Sequence, residues 1–428
     1  MRIRRHGGFK IAPGLRQQLA WAIFSASNIW VESPQNQPQR IHGSECVSLF
    51  RRLSIFVVLF VAGCGGDEPS SPAVLVSASP LGSESTASLV LPIIPLVPLM
   101  QLVVPTYDGS GQAVHPDIVR FPAPWNGWEY WMAFTPYPKA EAAMENPSVA
   151  VSHDGIRWEV PAELKNPIIG MEPGKGYNSD PDLSYDPQLD RLVMIYREVS
   201  KGDNVIKAIS SSDGRAWTLP KTTFRRRSHG IVSPTVVVAP GASPTVWYVD
   251  AGNRGCRERV TRVMTQVGSA MNALEPARAE AGWSTPRLAG LEQSGFSIWH
   301  IDVTYIPERH EYWAIYPAER SFSCNGRDLF FARSPDGIKW TSYRTPVLKR
   351  NDASWVRASL YRGSLLYDAS RDAIRIYLSA AAPGSVWQLG VVEYRFAEFL
   401  AALERNPGGA APGTLLPSAA TDGIRMEP

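Results

Sequence analysis

The chain has 428 residues, enough for one large domain or two ordinary ones, with 44% hydrophobic residues, 19% charged residues and a formal net charge of +3. That balance is an ordinary globular one, and with no dominant basic stripe it gives a nucleic-acid partner no support; Arg225-Arg226-Arg227 reads as a solvated loop. The 14 Trp and 15 Tyr recur singly at strand-like positions, which favours a β-rich fold.

Residues 1–46 are polar, mixed in charge and unlike a signal n-region, so they read as a doubtful extension ahead of a start near Val47. Arg51-Arg52 then precedes LSIFVVLFVAG (53–63) and Cys64. This is a charged n-region, an h-region too short to span a bilayer as a helix, and a small-residue cleavage site. V-A-G-C (61–64) resembles the bacterial lipobox, the alternative being an ordinary secretory signal. The resemblance implies a signal peptide over 47–64, a lipidated Cys64 as mature N-terminus, and a protein tied to the bacterial cell envelope by that anchor only. Without an Asp directly after Cys64, the signal resembles those sorted to the outer membrane of Gram-negative cells. Residues 65–104 follow as a Ser/Pro/Ala-rich tether. Its apolar, Pro-rich end (about 90–105) either packs on the body or helps to close it.

The body then repeats. Ser152-His153-Asp154-Gly155-Ile156-Arg157-Trp158 recurs at 211–217 and at 334–340 as S-x-D-G-x-x-W. Asp154 to Asp213 is 59 residues, and Asp213 to Asp336 is about two such periods, with a degenerate copy at Gly282-Trp283-Ser284-Thr285 between them. His153 is not repeated, so the stretch reads as a blade-end turn in which Asp-Gly supplies the tight hairpin. A second motif precedes each turn: VHPDIVRF (114–121), NSDPDLSYD (178–186), IVSPTVVV (231–238), WHIDVTYI (299–306) and WVRASLYR (355–362). Their apolar alternation sets Asp117, Asp182, Thr235, Asp302 and Ser359 in register. Two positions earlier stand His115, Asp180, Ser233, His300 and Arg357, on the same face of an ideal strand. Apolar second strands follow: YWMAF (130–134), LVMIY (192–196), TVWYV (245–249), YWAIY (312–316) and IRIYL (374–378). Five such units predict an all-β, five-bladed β-propeller over 105–397, with the first strands lining a central channel and 398–428 as a C-terminal tail.

This arrangement resembles the superfamily of five-bladed propeller glycoside hydrolases (families 32, 43, 62, 68, 117 and 130). The likeness rests on blade count, on strand starts such as Asp180-Pro181-Asp182-Leu183, and on the S-x-D-G-x-x-W blade ends. Sialidases carry a related Asp-box with one more residue between Asp and Gly, and six units rather than five. The resemblance implies a carbohydrate substrate or ligand and acid–base catalysis by channel carboxylates. The candidates are Asp117, Asp180, Asp182, Asp302 and Glu198, with Glu319 placed similarly to Glu198 on blade 4. Two departures stand out: His115 occupies the literal Asp position of blade 1, and blade 3 reads Val232-Ser233-Pro234 where the family has a Glu. A divergent glycosidase and a non-catalytic glycan-binding propeller therefore both remain open.

His115, Asn178, Trp299, His300 and Arg357 should surround the same mouth as substrate contacts. His115 and His300 are possible metal ligands, but the sequence assigns no metal and no cofactor. No G-x-S-x-G elbow or phosphate-binding Gly-rich loop appears. An exported chain folds in an oxidising compartment, and with Cys46 and Cys64 in the leader the two body cysteines predict a Cys256–Cys324 disulfide. A monomer is expected.

Overall fold

In a computed structural model of the chain, the described residues are 94–258, 261–268, 283–291, 296–319, 324, 326 and 328–405. Cys64, the signal segment and most of the tether lie outside them. Cys324 is disulfide-bonded; the side chain of Cys256 lies outside the described set.

The described strands form five antiparallel sheets. β1 (Val97–Leu102) stands apart in sequence from the blade it joins. Blade 1 holds β2 (Ala113–Trp125), β3 (Trp128–Pro136) and β4 (Ser148–Ser152). Blade 2 holds β5 (Tyr177–Asp186), β6 (Arg191–Ser200), β7 (Asp203–Ser211) and β8 (Lys221–Arg227). Blade 3 holds β9 (Val232–Val237), β10 (Thr245–Asp250), β11 (Arg262–Val267) and β12 (Arg287–Leu288). Blade 4 opens with the short β13 (Ser297–Ile298) and β14 (Asp302–Ile306), both paired with β15 (Glu311–Glu319). β16 (Asp328–Ser334), β17 (Thr341–Ser342) and β18 (Leu348–Lys349) complete it. Blade 5 holds β19 (Ser359–Asp368), β20 (Ala373–Ala382) and β21 (Val386–Arg395). The first strands follow one another around a closed circuit, β2–β5–β9–β14–β19 and back to β2. The fold is thus a five-bladed β-propeller.

Alternation along the second strands explains why the blades stack. In β3, Tyr130, Met132 and Phe134 pack toward Tyr377, Leu389 and Val391 of blade 5. The intervening Trp131 and Ala133 pack toward Leu192, Met194 and Tyr196 of blade 2. The same two-sided burial carries β6 to β10, β10 to β15 and β15 to β20. Every second strand is therefore apolar on both faces, as a strand between two packed layers must be.

The ring closes at blade 5, where β1 pairs antiparallel with β21 (Met100 opposite Val391, Leu102 opposite Leu389). That strand lies within the stretch expected as tether, and it answers what the apolar run at 90–105 does. At the other end α1 (Phe396–Arg405) reaches into the expected tail, stacking Phe396 on Trp313 at 4.2 Å and burying Phe399 and Leu403.

The repeated S-x-D-G turns are local hydrogen-bond knots. Ser152 Oγ accepts from Gly155 N (2.9 Å), and Asp154 Oδ1 accepts from Ile156 N and Arg157 N (2.8 Å each). Asp213 and Asp336 do the same in their turns. Each glycine sits at φ near +70° and against an aromatic side chain of the preceding blade: Gly155 on Tyr377, Gly214 on Trp131, Gly337 on Trp247. A Cβ on Gly214 would lie 2.1 Å from the Trp131 ring, whereas Gly241, with the same φ of +72°, faces open space. Gly214→Ala is expected to cost about 1–3 kcal/mol beyond Gly241→Ala in urea unfolding, since overpacking adds to the shared cost of positive φ. Equal costs would show that blade contact at this turn is not what the glycine serves.

Candidate functional site

Bulges in the first strands build the site. His115, Asp180 and Ser233 all adopt positive φ (58°, 51° and 50°) just before a proline, at breaks in strand register. Three non-glycine residues in this strained region, at equivalent positions in successive blades, mark a functional part of the fold. The bulge also alters the expected geometry. Residues i and i+2 do not share one site; they form two rings at successive depths of the channel.

One ring, the His–Asp ring, brings together His115, Asp180 and His300, all buried, with their ligand atoms within 4.8 Å of one another. His115 Nε2 lies 3.1 Å and His300 Nδ1 3.5 Å from Asp180 Oδ1. The other oxygen, Asp180 Oδ2, accepts from Ser233 N (3.1 Å) and is paired with Arg197 Nε (3.0 Å). His115 Nδ1 is 2.9 Å from Thr135 Oγ1 and 3.6 Å from Glu145 Oε2. The tautomer that donates Nδ1–H to this side would leave Nε2 as a lone-pair nitrogen toward Asp180, suited to a cation between them. Tyr361 packs edge-on against His300, with ring centroids 3.9 Å apart.

The charge states follow from burial and neighbours. Burial lowers His115 to about 3 and His300 well below its usual value, so both imidazoles are neutral. Burial also pushes Asp180 upward, but the guanidinium of Arg197, with Arg362 behind it, outweighs burial and holds the carboxyl ionised. Glu145, buried and facing the Asp180 charge, is raised well above the carboxylate range.

These groups fit a divalent cation. Two neutral imidazoles and one carboxylate are a donor set for first-row transition metals. Among the described residues, His115 Nε2, Asp180 Oδ1 and both His300 nitrogens are buried without a hydrogen-bond partner. Orphaned ligand atoms that converge from three blades are what a cation would satisfy.

The second ring consists of Asp117, Asp182 and Asp302, again within 4.8 Å of one another. Here the carboxylates join blades. Asp117 Oδ2 accepts from Leu183 N, and Asp182 Oδ2 accepts from Val236 N (2.9 Å). Asp302 Oδ1 pairs with Thr235 Oγ1 (3.3 Å). Arg362 neutralises the group through Nη2, 2.9 Å from Asp182 and 3.5 Å from Asp302. Burial and mutual repulsion raise Asp117 well above the usual range; burial, opposed by Arg362, raises Asp302 to about 7. These three aspartates, with Leu183, Val237, Leu366 and Tyr305, line a cavity of about 330 Å³.

Asn178 is buried and donates from Nδ2 to Asn146 Oδ1 (3.1 Å). Three sequence-based placements need correction. Arg357 is exposed; the bulge between Leu360 and Gly363 gives the blade-5 channel position to Arg362 instead. Glu198 is half-buried and pairs with Lys207 (3.7 Å), because the bulge at Asp180 turns the neighbouring Arg197 inward. Trp299 is packed in the apolar layer between blades 3 and 4, so its face is closed to a sugar. Glu319 pairs across the strand with Ser297 at the end of β15 and belongs to neither ring. Sequence reasoning missed Glu145, on the loop after β3, and Arg197; only the alternation error at Glu198 pointed toward the latter.

The fold has solved relatives. An N-acetylgalactosamine deacetylase from F. plautii, crystallised with blood group B trisaccharide, superposes with a TM-score of 0.65 at 23% identity, covering 75% of this chain and all of that one. A glycoside hydrolase superposes with a TM-score of 0.51 at 13% identity, covering 70% of this chain and 92% of that one. In sequence, the chain is 27% identical over 370 residues to an A type blood N-acetyl-α-D-galactosamine deacetylase of Flavonifractor plautii. That match takes in 70% of this chain but 47% of the relative, so the chain spans about half the length of the curated protein it matches. No protein-family profile matches the chain.

Proposed function

We propose that the protein is an exported, lipid-anchored carbohydrate-active enzyme that removes the acetyl group from an N-acetylated sugar. The observation that carries this reading is the convergence of His115, Asp180 and His300 with unpartnered ligand atoms. The name of the 27%-identical relative supports it. Export and anchoring rest on the lipobox at 61–64.

In this reading His115, Asp180 and His300 hold the cation, which when bound polarises an amide carbonyl and lowers the pKa of water. Arg197 keeps Asp180 ionised and oriented. Glu145 takes a proton from the attacking water, whose oxygen forms the new bond to the acetyl carbon. It then passes that proton to the departing nitrogen as the C–N bond breaks, so acetate and an amino sugar leave. A raised pKa makes its ionised form a stronger base toward water and lets it keep the proton until the nitrogen departs.

One observation favours a glycosidase as second reading: Glu145 is raised while Asp180 is depressed, the split that separates acid from base. Incubation with an oligosaccharide ending in N-acetylgalactosamine separates the readings. Acetate release that a chelator abolishes is expected. Release of free sugar that survives the chelator would replace deacetylation by glycosidic cleavage. Binding with neither product would leave a glycan-binding propeller.

A further inference from the structure

Arg197 carries more donors than the site satisfies. It is 5% exposed on β6, opposite Ser179. Nε reaches Ser179 Oγ (3.1 Å) and Asp180 Oδ2 (3.0 Å). Nη1 is buried with no acceptor among the described residues. A buried guanidinium donor left unsatisfied is costly, and its planar fork matches a carboxylate better than any neutral acceptor.

The surroundings favour the same ligand. Asp180, the carboxylate paired with Arg197, turns Oδ1 to the histidines. The other nearby acid, Glu145, lies 3.6 Å from His115 Nδ1 and makes no ion pair with Arg197 among the described residues. The guanidinium therefore has an anion on Nε and none on Nη1.

We propose that Arg197 forms a carboxylate subsite beside Asp180. Two sources share this chemistry: the carboxylate released from an acyl group, which rests on the deacetylation reading, and the carboxyl of an acidic sugar, which does not. The site then holds a small carboxylate in the absence of sugar, and a carboxylate product leaves against this hold.

The test is titration of the full chain, treated with chelator, with ¹³C-acetate and separately with galacturonate, followed by NMR at constant ionic strength, with acetamide as the neutral comparator. Saturable binding of at least one carboxylate is expected, with acetamide weaker and Arg197→Lys weakening the carboxylate at least about 10-fold, as for a lost charge-assisted hydrogen bond. Acetate binding marks the acyl source, and galacturonate binding without acetate marks the sugar source. Acetamide binding as tightly as acetate to the unaltered protein, no saturable binding of either carboxylate, or binding unchanged in Arg197→Lys would overturn the subsite. Arg197-dependent carboxylate binding in a protein that does not deacetylate sugars keeps the subsite and removes the enzymatic reading; deacetylation without carboxylate binding does the reverse.

Discussion

Asp180→Asn is expected to lower deacetylation of an N-acetylated oligosaccharide at least about 100-fold, the most damaging conservative change in the chain. The carboxylate holds together three things at once: the His115–His300 pair on Oδ1, and Arg197 and the Ser233 backbone on Oδ2. An amide keeps the shape but loses the charge, so two neutral imidazoles are left to hold a dication while Arg197 loses its counter-ion. Thermal unfolding and retained metal, measured on the same samples, separate the effects. Glu145→Gln serves as the partner variant. It should also lose turnover while retaining metal, since Glu145 faces the cluster through His115 Nδ1 rather than joining it. In the unaltered protein the rate should rise with pH as Glu145 ionises through its raised pKa, and the Gln variant should lack that limb. Asp180→Asn retaining both metal and full turnover would remove the His–Asp ring from the chemistry.

The propeller was legible because its signals are local and repeated. Asp-Gly turns recur with the period of a blade, and apolar second strands alternate on both faces, so blade count follows from spacing alone. The first-strand residues His115, Asp117, Asp180, Asp182, His300 and Asp302 were legible for the same reason. Their division into two rings was not, because an ideal strand puts i and i+2 on one face, and positive φ at His115 and Asp180 leaves no mark in an apolar alternation. The same blindness promoted Glu198 over Arg197 and Arg357 over Arg362. Glu145 was hidden for a different reason. It lies on a loop outside the repeat, and its place beside His115 is set by contacts such as the Asn178 N to Glu145 O hydrogen bond (3.0 Å), which tie that loop to the next blade. The absent blade-3 Glu, read as a broken catalytic set, takes on another meaning in the structure: Ser233 is there to bind Asp180 and, through Oγ, the Ile301 carbonyl (2.9 Å).

Arg362→Ala should produce the largest loss of stability, about 3–5 kcal/mol, because it leaves buried carboxylates without their counter-charge. Arg362 is fully buried and touches Asp182 and Asp302 from the blade where the ring closes. The loss should depend on pH in a definite direction. Asp302 is raised to about 7 in the folded protein from an ordinary 3.8, so the fold binds its proton more tightly than the unfolded chain does. The stability tied to that proton is fully present below about pH 4 and is lost as pH rises through about 7. Removing Arg362 takes away the positive charge that favours the ionised forms, moving Asp302, Asp182 and Asp117 further up. The destabilisation should therefore be smaller at pH 5, where protons substitute for the guanidinium, than at pH 8. Denaturant unfolding at the two pH values, with Arg362→Ala/Asp302→Asn as the compensating double variant, measures it. A loss independent of pH, or a double variant no more stable at pH 8 than the single one, would mean that Arg362 holds the blades by packing rather than by charge.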